Sequence, residues 1–255
     1  MLSKRPYILS VSGFDPSGGA GVLADIKTFE ANKVCGMGVV SALTFQNDTE
    51  FDSVRWIDTE EILKQISVLS RRMEFYVVKI GLIKDLQTLE SIITNCKSQI
   101  TDCKIIWDPI IKASAGFEFH KNFEEEKLFS VLKNIYLITP NSNEVRFLTG
   151  MVAPMKAAEE LSNYCNVFLK GEYYDMKDVK KIGRDFLFTT NGKNYSYRAK
   201  KISSAEKHGS GCVLSSAIAA NLAKGESLQR SCLKGKDYVT NFLMSNKTLL
   251  GYHKI

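Results

Sequence analysis

Residues 7–25 read YILSVSGFDPSGGAGVLAD, an apolar run followed by a turn with four glycines between positions 13 and 21. A short apolar run that ends in glycines and leads into a helix-length segment predicts a strand, a tight turn and a helix. Because glycine lacks a side chain, this turn lets the backbone come close to a ligand or to another loop. The turn is therefore either a ligand-binding loop or only a tight connection between the two elements.

Strands and helices continue to alternate along the chain. Strand-like runs lie at 37–44, 75–81, 103–109, 135–140 and 166–171, and amphipathic helix-length segments lie at 19–32, 59–73, 85–99, 122–134 and 142–150. This alternation predicts an α/β fold with a mainly parallel central sheet flanked by helices. Ligands of such sheets bind in the loops at the carboxyl ends of the strands, so we expect the site there.

The end of the chain follows a different pattern. Asn191-Gly192, inside the segment 184–200, predicts an antiparallel hairpin. Two further helices are expected at about 211–224 and 226–247. Because the sequence contains no linker, repeat or low-complexity tract, we expect a single domain, residues 1–255.

Composition limits the class of protein. The 255 residues are 44% hydrophobic, enough for a large core, and no run of about 18 apolar residues predicts a membrane span. The six cysteines form no CxxC pair and no cluster with zinc-ligand spacing, which favours a reducing, cytoplasmic location.

The net charge of +6 is spread along the chain. It indicates a solvated basic surface or a weak attraction for a phosphorylated ligand, and we expect neither a nucleic-acid nor a membrane partner.

The first glycine turn fits neither of two common phosphate-binding patterns. Residues 19–24, GAGVLA, match G-x-G-x-x-A, but no acidic residue ends the second strand to hold a ribose. A P-loop is excluded because no Gly-Lys-Ser/Thr follows the glycines.

A second glycine turn lies in residues 207–223, KHGSGCVLSSAIAANLA. Gly209, Ser210, Gly211 and Cys212 stand at the start of a predicted helix, where free backbone N–H groups and the helix dipole form an anion site. A phosphoryl group fits such a site. Cys212 is either a small packing residue or a base for a substrate hydroxyl, since a helix N-terminus favours the thiolate.

Seven ordered motifs carry a resemblance to a known family. They are SGFDPSGGAGVLADIKTFEA (12–31), GVVSALTFQND (38–48), VKIGLI (78–83), WDPI (107–110), TPNSNE (139–144), LKG (169–171) and HGSGCVLSSAIAA (208–220). Together they resemble the hydroxymethylpyrimidine and phosphomethylpyrimidine kinases of thiamine biosynthesis, in the ribokinase-like superfamily. The resemblance implies one α/β domain without a β-lid, and the cofactors ATP and Mg²⁺. The implied reaction transfers the γ-phosphate of ATP to 4-amino-5-hydroxymethyl-2-methylpyrimidine and then to its monophosphate.

The resemblance also implies a pyrimidine-binding set. The family's loop glycine, helix aspartate and strand-end glutamine correspond to Gly13, Asp25 and Gln46, with Leu82 and Ile110 beside the ring. A carboxylate can accept from an amino group while an amide satisfies ring nitrogens. Taken alone, the same residues are ordinary helix, loop and core positions.

On the phosphate side, the resemblance assigns Asp108 and Glu144 to Mg²⁺ and Asn141 and Lys170 to ATP. Hard oxygen ligands suit Mg²⁺. Without the family, Asp108 is a turn residue, Glu144 a helix-capping carboxylate and Lys170 a surface lysine. The loop from Gly209 to Cys212 corresponds to the catalytic loop of the family, which implies Cys212 as the base.

Three departures from the family pattern leave alternatives open. Phe14-Asp15-Pro16-Ser17 replaces Ser-Asp-Ser-Ser, Glu172 replaces the second glycine of Lys-Gly-Gly, and the usual Asn-Thr before His208 is absent. A pyridoxal kinase of the same cysteine-bearing type is one alternative, and a catalytically weak pyrimidine-binding protein, motivated by Glu172, is another. Related kinases are commonly dimers, so we expect a homodimer.

Overall fold

A computed structural model describes residues 5–171, 183–198 and 206–254. The strands are β1 (Tyr7–Phe14), β2 (Cys35–Gln46), β3 (Phe51–Trp56), β4 (Phe75–Ile80), β5 (Lys104–Trp107), β6 (Leu137–Ile138), β7 (Asn166–Leu169), β8 (Arg184–Phe188) and β9 (Asn194–Arg198). The helices are α1 (Gly21–Ala31), α2 (Thr59–Ser70), α3 (Leu86–Gln99), α4 (Glu125–Leu132), α5 (Ser142–Thr149), α6 (Pro154–Leu161), α7 (Ser210–Ala223) and α8 (Leu228–Leu243).

The strands of these described ranges form one nine-stranded sheet in the order β3-β2-β1-β4-β5-β6-β7-β8-β9. The six strands from β2 to β7 in that order pair in parallel, whereas β3 pairs antiparallel with β2 at one edge. At the other edge β8 and β9 form an antiparallel hairpin. The α/β class, the mainly parallel sheet and the hairpin at Asn191-Gly192 are confirmed.

Each face of the sheet has its own apolar core. Successive side chains of a strand point to opposite faces, so Ile105 and Trp107 of β5 pack in one core and Ile106 in the other. The first core lies under α2 to α6, and the second under α1, α7 and α8. Helix α7 is buried along nearly its whole length, which explains its small residues and its weak amphipathic pattern.

Local sequence accounts for several helix boundaries. Asp85 accepts a hydrogen bond from the Thr88 backbone at 2.7 Å at the start of α3, and Pro154 occupies the first turn of α6. Gly150 ends α5 with φ 68°, the left-handed conformation that glycine adopts without strain. Such signals fix where elements begin and end.

Two elements were not predicted. Strand β3 is a short edge strand, and α6 is only eight residues long, so both give weak periodic signals. Glu172, on which one alternative function depended, lies outside the described residues. In the ranges that the structure covers, none of the helices combines the length and apolarity that crossing a membrane requires.

Candidate active site

Loops at the carboxyl ends of the parallel strands surround a cleft of about 1050 Å³. This is the edge at which ligands of open α/β sheets bind. Every residue that the sequence placed in the site lines this cleft, with the exception of Asp25. The structure therefore brings together residues from seven separate segments of the chain.

The glycine turn of residues 13–21 contacts the second glycine turn. A Cβ on Gly209 would lie 2.0 Å from the Gly19 carbonyl oxygen, and a Cβ on Gly21 would lie 2.1 Å from that of Gly13. Both Gly209 and Gly21 have positive φ, 71° and 61°. These glycines are needed because backbone packs on backbone here, an approach that any side chain would prevent.

Asp15 organises the first turn. Its carboxylate accepts hydrogen bonds from the Ser17 hydroxyl at 2.9 Å and the Ala20 backbone N–H at 2.8 Å. Its Oδ2 also shares a 2.8 Å hydrogen bond with Nε2 of His208. Burial opposes ionisation, but these hydrogen bonds, led by that of His208, lower the pKa of Asp15 below its ordinary value. Asp15 and His208 therefore link the two turns, and the departure at Phe14–Ser17 retains the residue that shapes the loop.

The start of α7 faces the cleft. Its N-cap is Gly209, which makes no side-chain capping bond, and Gly209, Ser210, Gly211 and Cys212 all line the cleft. The first-turn N–H groups of a helix lack partners within the helix. Together with the helix dipole they favour an anion at this point.

The surroundings of Cys212 change the pKa of its thiol. Burial raises the pKa of its thiol to about 11, although the charge of Lys79 and a hydrogen bond from the Gly21 backbone act in the opposite direction. Asp108 and Asp25 add to the increase. Burial therefore opposes the thiolate that a position at a helix N-terminus favours.

Lys170 pairs with the two carboxylates assigned to the phosphate side. Its Nζ lies 2.9 Å from Asp108 Oδ1 and 3.6 Å from Glu144 Oε2. Burial disfavours the ammonium, but the charges of Asp108 and Glu144 raise the pKa of Lys170 well above its ordinary value. Lys170 is therefore not an ordinary surface lysine; it is a half-buried cation that follows β7.

Asp108 accepts from several donors at once. Besides Lys170, Thr139 Oγ1 donates to Oδ1 at 3.0 Å and Ser215 Oγ donates to Oδ2 at 3.2 Å. Burial alone would raise its pKa, but the charges of Lys170 and Lys79 hold the pKa of Asp108 below its usual value. Asp108 is therefore a carboxylate that several donors hold in place at the cleft.

Glu144 and Asn141 form the capping box of α5. The Asn141 side chain accepts from the Glu144 backbone at 2.9 Å, and Glu144 Oε2 accepts from the Asn141 backbone at 2.7 Å. Burial, with a contribution from Asp108, raises the pKa of Glu144 to about 7. Both residues cap the helix and line the cleft. The capping role and the ligand-binding role are therefore compatible.

The donor set suits a magnesium ion that is held partly by the substrate. Within the described ranges, no group of three or more His, Cys, Asp or Glu side chains could hold a metal. Mg²⁺ typically uses one or two carboxylates together with waters and phosphates. Asp108 and Glu144, both bonded to Lys170 in one cleft, offer such a pair.

The cleft is also lined by Gly13, Gln46, Leu82 and Ile110. A Cβ on Gly13 would lie 3.1 Å from Leu82, so the glycine keeps this wall open. Gln46 Nε2 donates to Thr44 Oγ1 at 2.8 Å, which fixes the orientation of the amide at the cleft. An apolar wall next to one oriented amide is suited to a flat heteroaromatic ring.

Asp25 does not occupy the predicted position. Its carboxylate is fully buried, and it accepts from Ser10 and Ser216 at 2.6 Å each and from Lys79 at 2.8 and 3.0 Å. Both oxygens are therefore engaged beneath the cleft wall. The expected direct contact between Asp25 and the substrate is corrected, because a new donor would have to displace a buried ion pair.

Three residue pairs were missed by the sequence analysis. They are Asp25 with Lys79, Asp15 with His208, and Asp185 with Lys236 at 2.7 Å. Asp185 also accepts from the Gly171 backbone at 2.7 Å, next to Lys170. Lys79 stands in the quoted motif VKIGLI, where a lysine within an apolar strand was a signal for a buried charge.

Replacing Gly209 with alanine is expected to lower turnover at least about 100-fold and to destabilise the fold, because the new Cβ meets the Gly19 carbonyl. Gly192→Ala is the matched control, since Gly192 also has positive φ (77°) but no atom within 4 Å of its would-be Cβ. Only backbone strain, about 1 kcal/mol, should affect the control. Thermal unfolding and turnover of the two variants check this, and equal losses would argue against the contact between the turns.

A kinase-type phosphotransferase is the class that this fold and cleft define. A family model described as phosphomethylpyrimidine kinase matches residues 15–254. A hydroxymethylpyrimidine/phosphomethylpyrimidine kinase of Aquifex aeolicus is 32% identical over 254 residues, covering 94% of this chain and 95% of the relative. The chain belongs to the phosphomethylpyrimidine kinase family.

Solved structures agree with this assignment. The crystal structure of a phosphomethylpyrimidine kinase from Clostridium difficile 630 superposes with TM-score 0.77 at 29% identity, covering 93% of this chain and 99% of the other. The pyridoxal kinase from Staphylococcus aureus in complex with ADP has TM-score 0.81 at 21% identity, covering 95% and 89%. The similarity to the pyridoxal kinase shows that the two proteins share the ribokinase-like fold.

Proposed function

We propose that this protein transfers the γ-phosphate of ATP to 4-amino-5-hydroxymethyl-2-methylpyrimidine and then to the resulting monophosphate. One observation carries the proposal: a single cleft is lined both by Lys170, Asp108 and the start of α7 and by Leu82 and Gln46. The first set of residues suits phosphates and the second suits a flat pyrimidine. The family membership supports the same reaction.

Phosphoryl transfer requires mainly positioning and charge stabilisation. We assign Lys170 the neutralisation of charge on the transferring group, and the N–H groups of Gly211 and Cys212 the binding of its oxygens; that all three residues line the cleft supports these roles. Asp108 and Glu144 are the residues that would hold Mg²⁺, which screens the charge between the phosphates when it is bound.

We assign Cys212 the proton transfer. The hydroxymethyl oxygen forms a bond to the γ-phosphorus, the bond from that phosphorus to the bridging oxygen of ADP breaks, and the hydroxyl proton goes to the Cys212 sulphur. A pKa of about 11 makes the thiolate scarce but strongly basic. In the small fraction of molecules in which Cys212 is a thiolate, its sulphur therefore accepts the hydroxyl proton effectively.

The hairpin around residues 112–118 lies beside the cleft. Lys112 and Glu118 form a bridge between its two arms, and the ring of Phe117 stacks on Phe51 of β3 at 4.6 Å. Lys112 and Phe119 line the cleft. We propose that this hairpin closes over the substrate and excludes water.

Release of ADP tests the proposed function. The purified protein is incubated with MgATP and, separately, with hydroxymethylpyrimidine, its monophosphate and pyridoxal, and a parallel set contains EDTA. ADP formation with both pyrimidines, abolished by EDTA, is expected. ADP formation with pyridoxal alone would identify a pyridoxal kinase, and tight pyrimidine binding without ADP would identify a binding protein.

Three expectations from the sequence stay predictions. They are the single domain over residues 1–255, the homodimer and the cytoplasmic location. One sheet through the described ranges supports the first, and six free cysteines support the last. Light scattering of the purified protein measures the mass in solution and checks the homodimer.

A further inference from the structure

A charged network lies beneath the cleft and is not used by the proposed transfer. Lys79 of β4 and Asp25 of α1 are both fully buried, with their charged atoms 2.8 Å apart. Ser10 of β1 and Ser216 of α7 each donate to Asp25 at 2.6 Å. The network therefore ties two strands and two helices together at one carboxylate.

This network reaches Cys212 through α7. Ser216 follows Cys212 by four residues, so both side chains lie on the same face of the helix. On the adjacent face, Ser215 donates to Asp108 at 3.2 Å. The first two turns of α7 are thus fixed by two carboxylates, one below the cleft and one inside it.

The structure leaves space for the Lys79 ammonium close to the cleft wall. A Cβ on Gly81 would lie 2.9 Å from Lys79 Nζ and 2.3 Å from Ser12 Oγ. Ser12 lines the cleft, and its buried hydroxyl has no hydrogen-bond partner. Gly81 is therefore required for the lysine to stand directly behind the reacting end of the site.

Charges from three elements face Cys212. They are Lys79 on β4, Asp25 on α1 and Asp108 after β5, and Lys170 after β7 adds a second cation. The charge of Lys79 lowers the pKa of Cys212, and the two carboxylates raise it. Removing the lysine and removing Asp25 should therefore affect the sulphur in opposite directions.

We propose that Lys79 is a positioning residue for the transfer, which holds α7 through Asp25 and Ser216 and supplies the positive charge that supports Cys212 as proton acceptor. Asp25 orients this charge and partly offsets it. The inference rests on the proposed function only for its kinetic part. The reactivity of the Cys212 sulphur tests the electrostatic part without any substrate.

The experiment measures the rate of Cys212 alkylation by iodoacetamide at pH 8, with the modified peptide quantified by mass spectrometry so that the other five cysteines are separated. Lys79→Met is expected to slow alkylation at least about tenfold, because the charge that lowers the pKa of Cys212 is then lost. Asp25→Asn is expected to accelerate it by a similar factor. The double variant, which has neither charge, is expected to lie within about threefold of the wild type and remains testable if Lys79→Met alone does not fold.

Ser216→Ala is the matched control, since it removes one hydrogen bond to Asp25 but no charge. Its effect on alkylation should be smaller than that of either charge variant. If both charge variants accelerate alkylation, loosened packing and not charge explains the effect, and the proposal is wrong. Equal rates in all variants would also refute it.

Kinetics separate this inference from the proposed function. In an active enzyme, Lys79→Met is expected to lower kcat about tenfold or more, with the KM for the pyrimidine changed less than threefold. A large rise in KM alone would instead indicate that Lys79 and Asp25 belong to the substrate-binding wall. If the wild type has no kinase activity, the proposed function fails, while the opposite alkylation effects still decide the electrostatic role.

Discussion

Replacement of Cys212 by alanine is expected to lower kcat about 10²- to 10⁴-fold, the usual contribution of a general base. Cys212 lines the cleft at the start of α7, and no other residue of the proposed mechanism accepts the hydroxyl proton. Binding of hydroxymethylpyrimidine should be retained, since the variant leaves Leu82 and Gln46, the proposed binding wall, unchanged. Steady-state kinetics and calorimetric binding measure the two effects.

Cys96→Ala provides the matched control for this prediction. Cys96 is also fully buried, but it lies on α3 in the other core, away from the cleft. The control should lose some stability and retain its turnover. Unchanged turnover in Cys212→Ala would remove Cys212 from the mechanism and leave the start of α7 as an anion site only.

The second large effect is expected when Lys170 is replaced by methionine. We expect kcat/KM for ATP to decrease at least about 10²- to 10³-fold, as when one preorganised electrostatic contact is lost. The change also leaves Asp108 and Glu144 close together without their shared cation, so the apo protein should unfold at a lower temperature. Initial rates against ATP concentration and a thermal melt measure both losses.

An ion pair between a lysine and a glutamate outside the cleft serves as the control for Lys170. Lys127 lies 3.7 Å from Glu90 on the surface, so Lys127→Met should change neither rate nor melting temperature appreciably. A Lys170→Met variant that melts lower but turns over normally would show a structural lysine. The assignment of Lys170 to the phosphates would then be abandoned.

Much of the fold follows from local sequence. The alternation of apolar runs with amphipathic segments predicts the parallel sheet, and Asn191-Gly192 predicts the hairpin that the structure contains between β8 and β9. Motifs at strand ends also place their side chains at one edge of the sheet, because parallel strands end together there. Twelve of the thirteen candidate residues therefore line one cleft, although their chemical roles stay predictions.

The remaining features depend on tertiary contacts. Position in a helix does not tell which side Asp25 faces, and its partner Lys79 lies 54 residues away in sequence. Similarly, the helix start at Cys212 is visible in the sequence, but the burial that raises its pKa to about 11 is not. Ionisation and ion pairing are properties of the packed site, so local patterns predict them poorly.

The central claim is tested most directly by following the product itself. Hydroxymethylpyrimidine is incubated with the protein and MgATP, and the pyrimidine species are resolved by mass spectrometry over time. We predict that a monophosphate accumulates first and is then converted to a diphosphate, with one ADP formed for each phosphate transferred. ATP consumption without any phosphorylated pyrimidine, or no consumption at all, would contradict the account.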